Sequence, residues 1–241
     1  MTVAASGPLL ETEGLTRRFG GLTAVDHVDF QLFPGEIRAL IGPNGAGKTT
    51  FVGLLSGRIP PSEGRVRFGG EDVTRLPAHA RMGRGMAYTF QITSVFANLS
   101  LFDNVALAVQ RRLARGEGLE AETMAALDRV GLAGRARQTA GDLSYGHQRL
   151  LEIAMGLAQR PRLLILDEPT QGLSDGEIEG FKALVRDVAA EATVLLIEHN
   201  MDVVMSLATR ITVLDMGARL AEGDPAAIHA DAAVQRAYLG G

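Results

Sequence analysis

The chain has 241 residues, 46% of them hydrophobic and 22% charged, with a formal net charge of −4 and neither cysteine nor tryptophan. Such a composition folds around an ample core. The missing cysteine excludes disulfide frameworks, thiolate nucleophiles and cysteine-ligated zinc, and the acidic balance gives no electrostatic footprint for nucleic acid or anionic lipid.

The first third reads as β. Residues 25–33, VDHVDFQLF, alternate roughly as a strand, with Val25, Phe30 and Leu32 on one pattern. Pro34-Gly35 marks a turn, and IRALI at 37–41 is short and apolar like a buried strand. A helix starts near Lys48, and MAYTF at 86–90 is a further strand. The middle turns helical: 103–115, 119–130 and 147–159, the last closed by Pro161. From 163 the pattern alternates again. LLILD at 163–167 and TVLLI at 193–197 are apolar strands, 174–190 and 201–208 are helices, and strands at 211–215 and 218–222 lead into a helical tail. Apolar strands alternating with amphipathic helices predict an α/β fold with a mostly parallel sheet, into which a helical block at about 92–160 is inserted. No apolar run nears the ~18 residues of a membrane span, and the opening MTVAASGPLL lacks the basic and apolar stretches of a secretion signal.

Residues 42–50, GPNGAGKTT, match G-x-x-x-x-G-K-[ST] between a predicted strand and a predicted helix. Glycine at 42, 45 and 47 lets the backbone N–H groups turn towards phosphate oxygens, with the positive end of a helix dipole behind them. Lys48 then reaches the β- and γ-phosphates, and the Thr49 hydroxyl is a ligand for Mg²⁺. A second strand, LLILDE at 163–168, ends in carboxylates at the edge where α/β sheets bind ligands. Asp167 suits the metal, and Glu168 suits the attacking water. By itself LLILDE would also fit a core strand ending in a solvated acidic pair.

Residues 143–149, LSYGHQR, precede the 147–159 helix. With the two motifs above, the chain resembles the ATP-binding cassette (ABC) family, whose signature is LSGGQ; Leu143, Ser144 and Gly146 match it. The resemblance implies a P-loop NTPase of ABC type with a mostly parallel sheet, an antiparallel β portion and an inserted helical subdomain. It implies one domain over 1–241, with a nucleotide-binding core at about 1–91 and 161–241 and the helical subdomain at about 92–160. ATP and Mg²⁺ are the implied ligands. Phe19 stands where the family stacks an aromatic on adenine, Thr50 where a second hydroxyl nears the α-phosphate, and the whole run Gly42, Pro43, Asn44, Gly45, Ala46, Gly47, Lys48 and Thr49 holds the phosphates. Gln91 stands at the Q-loop glutamine, near metal and water, and His199 at the switch histidine. Glu168, His199, Lys48 and Gln91 carry the implied catalysis, and Thr49, Gln91 and Asp167 the implied metal. Ser144 and Gly146 would meet the nucleotide of another subunit, so hydrolysis would need a head-to-tail dimer.

Three positions depart from the family pattern. Tyr145 replaces the first signature glycine, His147 its glutamine, and Ser174 stands where many members have the D-loop aspartate, with Asp175 one step late.

Within the family, GPNGAGKTTF, TFQITSVFANLSLFDNVALA, LSYG-x-QR-x-LEIA and the C-terminal AYLG resemble the ATPase subunits of branched-chain amino acid importers. Urea and short-chain amide importers and lipopolysaccharide-export ATPases are similar. That resemblance implies peripheral attachment to the cytoplasmic face of the inner membrane. The implied partners are two membrane permease subunits, a second ATPase subunit (identical or not) and, indirectly, a periplasmic substrate-binding protein. A soluble ABC ATPase of DNA repair or translation would bring a second cassette, a zinc module, coiled-coil insertions or a basic surface, and the sequence has none of these. The apolar run Val95, Phe96, Leu99, Leu101 and Phe102 is open to two readings: a dock for permease helices, or the helical subdomain's own core.

Overall fold

The computed structural model describes residues 7–89, 94–113 and 117–239. In chain order the elements are β1 (Leu10–Phe19), β2 (Leu22–Leu32), β3 (Ile37–Ile41), α1 (Lys48–Ser56), β4 (Glu63–Phe68), β5 (Glu71–Asp72), α2 (Ala78–Met82) and β6 (Met86–Thr89). There follow α3 (Leu101–Gln110), α4 (Leu119–Arg129), α5 (Tyr145–Ala158), β7 (Leu163–Asp167), α6 (Asp175–Ala189), β8 (Thr193–Ile197), α7 (Met201–Leu207), β9 (Arg210–Asp215), β10 (Ala218–Gly223), α8 (Pro225–Ala230) and α9 (Ala232–Leu239).

The chain divides into two compact units, residues 1–84 with 208–241, and residues 85–207. In the first unit β1 pairs antiparallel with both β2 and β4, and β4 with β5. A separate ladder joins β3 to β9 in parallel and β9 to β10 antiparallel. In the second unit β6, β7 and β8 run parallel. The expected α/β architecture, mostly parallel with an antiparallel portion, is therefore what the strands form. Strands β3, β7 and β8 are buried along their whole length, as strands covered on both faces must be. In the second unit α3, α4 and α5 pack on one another, and α5 also packs on β6 and β7.

Several boundaries differ from the sequence reading, each for a local reason. The helix read as 103–115 begins at Leu101, because the Ser100 side chain caps it by accepting the Asp103 N–H at 3.0 Å. The helix read as 147–159 begins at Tyr145 behind the Ser144 cap. The sequence pattern marks none of β1, β4, β5 and α2. In β1 the alternation is interrupted at Gly14, in the left-handed region at φ 54°, and the register with β2 shifts between Thr12 and Leu15. The strand read as 86–90 runs through Thr89, and residue 90 lies outside the described residues.

Helix α1, which leaves the glycine-rich loop, is fixed at both ends. Its Phe51 meets Phe30 of β2 edge-on, ring centroids 5.6 Å apart. Its C-terminus is held by Arg81 of α2, which is fully buried. The guanidinium donates to the carbonyls of Leu54 and Leu55 at 2.8 Å, of Thr74 at 2.9 Å and of Leu76 at 3.0 Å. A cation on the last carbonyls of a helix satisfies orphan acceptors and the dipole together. Burial pushes the Arg81 guanidinium down to about 10, so it keeps its charge at neutral pH. Replacing Arg81 by methionine strips four carbonyls of one donor. Arg81→Met should cost about 3 kcal/mol of stability, read as a lower urea midpoint; a loss under ~1 kcal/mol would show that the cap is dispensable.

Candidate functional site

The loop between β3 and α1 is shaped by backbone that lies too close for side chains. A Cβ on Gly42 would sit 2.1 Å from the Leu214 carbonyl oxygen, and one on Gly47 would sit 2.3 Å from that of Ala24. Gly47 is also left-handed, at φ 95°. The turn between β9 and β10 grips the loop: the Gly217 N–H donates to the Ala46 carbonyl at 3.1 Å, and the Asp26 N–H donates to the Gly217 carbonyl at 2.8 Å. The Tyr238 hydroxyl of α9 has its pKa pushed up to about 12 by burial, with the Gly42 backbone acting the other way.

Lys48 opens α1 and is buried. Its ammonium donates to the carbonyls of Gly42 at 2.6 Å and Pro43 at 2.9 Å, so the loop curls around the charge. The first turn of α1 has no side-chain cap and no acidic residue, the form of helix start that suits an anionic ligand. Thr49 and Asn44 are exposed, and Thr50 is half-buried. This is a cradle of backbone donors and one cation, the chemistry that binds phosphate. Phe19 ends β1 with 46% of its surface exposed, and the Arg17 guanidinium lies 4.5 Å from its ring centroid.

In the second unit, Asp167 ends β7 and is buried. One of its carboxylate oxygens accepts the Tyr88 hydroxyl at 2.6 Å. Glu168, the next residue, is left-handed at φ 48°, a conformation uncommon outside glycine. Its carboxylate lies 3.1 Å from His199 Nε2, and its N–H donates to the Ile197 carbonyl at 2.8 Å. The structure thus brings Glu168 and His199 together from two strand ends. Glu198, buried, braces both loops. One carboxylate oxygen accepts the Thr170 N–H at 3.0 Å and its hydroxyl at 2.5 Å; the other accepts the N–H groups of His199 at 3.0 Å and Asn200 at 3.2 Å. Ser144 is exposed at the start of α5. Gly146 faces its own chain: a Cβ there would sit 2.7 Å from the Gly172 carbonyl oxygen. Gln91 lies outside the described residues. The motifs do not mark Tyr88, Glu198 or Tyr238; only the position of Glu198 directly before His199 hints at a role.

The chemistry of the donors suits a hard cation. Thr49 offers a hydroxyl oxygen in the first unit and Asp167 a carboxylate in the second, each an oxygen ligand of the type that Mg²⁺ takes together with phosphates and water. Among the described residues no three His, Asp or Glu side chains gather around a metal-sized point.

Residues 25–171 match the model of the ABC transporter family. The high-affinity branched-chain amino acid transport ATP-binding protein BraF of Pseudomonas aeruginosa is 41% identical, over 98% of this chain and 99% of the relative. LivG of Escherichia coli K12, of the same description, is 39% identical over the same shares. Among solved structures, the ADP conformation of MJ1267, an ATP-binding cassette of an ABC transporter, superposes with a TM-score of 0.87 at 26% identity, covering 98% of this chain and 100% of that one. A nucleotide-free ATP-binding cassette from an ABC transporter gives 0.88, also at 26% identity.

The loop geometry sets a direct test. Gly47→Ala forces a Cβ into the Ala24 carbonyl, and ATP affinity should fall at least ~100-fold, or about 2.7 kcal/mol, by calorimetric titration. Unchanged affinity would show that the loop's shape does not govern binding.

Proposed function

The chain belongs to the ABC transporter family, and from that membership we propose that it hydrolyses ATP to energise an importer of branched-chain amino acids. The observation that carries the reading is the nearly end-to-end likeness to BraF and LivG. That likeness extends past the nucleotide motifs, over 98% of this chain.

In this reading the loop at 42–47, Lys48 and Thr50 hold the phosphates, and Phe19 offers the face not covered by Arg17 to adenine. Glu168 accepts the proton of the attacking water while the bond between the β–γ bridging oxygen and the γ-phosphorus breaks and ADP leaves. The left-handed backbone at Glu168 and the bracing by Glu198 support a carboxylate aimed at one place. His199, 3.1 Å from Glu168, orients that carboxylate and donates towards the γ-phosphate. Thr49, Asp167 and Gln91 would hold Mg²⁺, whose charge would neutralise that of the phosphates. Lys48 Nζ exchanges its two loop carbonyls for phosphate oxygens, a change of partners rather than a new ordering of the side chain.

One chain carries one phosphate loop and one signature, so a second ATPase subunit completes each site, with Ser144 and Gly146 at the nucleotide of its neighbour. The division into a core of 1–91 and 161–241 with an inserted helical subdomain of 92–160 belongs to the same proposal, as does attachment at the cytoplasmic face of the membrane through two permeases. Among the described residues no helix is long and apolar enough to cross a membrane. The apolar run after the Q-loop position is split. Leu101 is fully buried, whereas Phe96 is 53% exposed, on a turn held by Asn104. The exposed part supports permease docking.

With permeases and binding protein reconstituted in vesicles, the wild-type chain should drive uptake of labelled leucine. Glu168→Gln should bind ATP unchanged, hydrolyse it at least ~100-fold more slowly and drive no uptake. Uptake of other cargo but not of leucine would overturn the branched-chain assignment. Near-wild-type hydrolysis by Glu168→Gln would remove that residue from the chemistry.

A further inference from the structure

The three departures from the family pattern, Tyr145, His147 and Ser174, lie at the starts of α5 and α6. Helices α5 and α6 both begin at a serine, Ser144 and Ser174. Ser144 Oγ lies 2.7 Å from His147 Nδ1. On the other side of the ring, His147 Nε2 lies 3.5 Å from one Glu177 oxygen. The other Glu177 oxygen accepts both the N–H and the hydroxyl of Ser174 at 2.7 Å. Ser174, with the His147 imidazole beside it, holds the Glu177 carboxyl below its usual range. An anionic Glu177 favours the tautomer with hydrogen on Nε2, which leaves Nδ1 to accept the Ser144 hydroxyl. A second set of contacts runs alongside. The Tyr145 hydroxyl donates to the Gln171 side-chain oxygen at 3.3 Å. A Cβ on Gly172 would sit 2.7 Å from the Tyr145 ring, and one on Gly146 would sit 2.7 Å from the Gly172 carbonyl oxygen.

We propose that His147 is a positioning residue for Ser144: it fixes the serine hydroxyl and, through Glu177, makes the start of α5 and the 171–177 segment one piece. This rests on the reading in which Ser144 contacts the nucleotide held by the neighbouring ATPase subunit. Under it, closure of the subunit pair is felt by the signature serine and by the 171–177 segment together. The family pattern places an aspartate at position 174 for cross-dimer contact. Here Ser174 is occupied with Glu177, and the tie to the signature runs within the chain. A glutamine at 147 reproduces both ends of the bridge, since its oxygen accepts from Ser144 and its N–H₂ donates to Glu177. Alanine reproduces neither.

The test uses ATP-driven association of the ATPase pair in the Glu168→Gln background, read by sedimentation, with ATP affinity measured separately below the association range. His147→Ala should raise the subunit concentration for half-association roughly tenfold, or about 1.4 kcal/mol, with ATP affinity unchanged. His147→Gln should restore association to within about twofold of the parent. Glu177→Gln should weaken association too, and adding it to His147→Ala should cost nothing further, because the two act through one bridge. Parent-like association by His147→Ala, or equal impairment of His147→Ala and His147→Gln, would overturn the proposal. A Glu168→Gln parent that fails to associate with ATP would bring down the dimer reading and this inference with it. An associating parent that is indifferent to His147 brings down the inference alone.

Discussion

The nucleotide half of this protein depends on two places where backbone meets backbone without a side chain between. Gly42 passes the Leu214 carbonyl and Gly47 passes that of Ala24 at separations no Cβ tolerates. These contacts press the loop against strands from distant parts of the chain and aim the first turn of α1 outward with its N–H groups uncapped. The position of Lys48 follows, because it is the first residue of that helix and its ammonium falls among the loop's own carbonyls. The Phe30–Phe51 contact and the Arg81 cap then keep α1 from tilting. A phosphate site of this kind is mostly main chain, so its precision comes from what is packed behind it rather than from the side chains that face the ligand.

The acidic half is organised by a different device. Asp167 and Glu168 are adjacent, yet they are turned to different tasks by a left-handed kink at Glu168. Asp167 stays buried on the Tyr88 hydroxyl, and Glu168 turns to His199. Glu198 holds the kink in place by accepting four hydrogen bonds from the loops that follow β7 and β8. A buried carboxylate so fully satisfied is a structural brace.

Much of this was legible in the sequence, and the limits have physical causes. Strands β3, β7 and β8 are readable to the residue, since a strand buried on both faces is an unbroken apolar run between turn signals. Strands β1, β4 and β5 are not. They belong to an antiparallel sheet with one solvated face, and LETEGLTRRF carries four charged residues and a glycine irregularity that hide its alternation. Helix starts slip by two residues because Ser100 and Ser144 act through geometry that polar residues in loops share. The phosphate loop, Asp167 and Glu168 were visible because their chemistry demands fixed spacing. Arg81, Tyr88 and Tyr238 were not, because each reports to a group, mostly main chain, whose distance in sequence is unconstrained. Gly146 shows the converse. Its motif points to a ligand, while its absent side chain is required by Gly172 of its own chain.

Under the proposed function, one chain holds half of each ATP site and hydrolysis belongs to a pair. Turnover per chain, measured while this chain and its ATPase partner are diluted together, tests that most directly. Turnover should fall towards zero on dilution and saturate at high concentration. Turnover per chain that stays constant down to the lowest concentration at which ATP binding persists would contradict the account, because a lone chain would then hold a whole site.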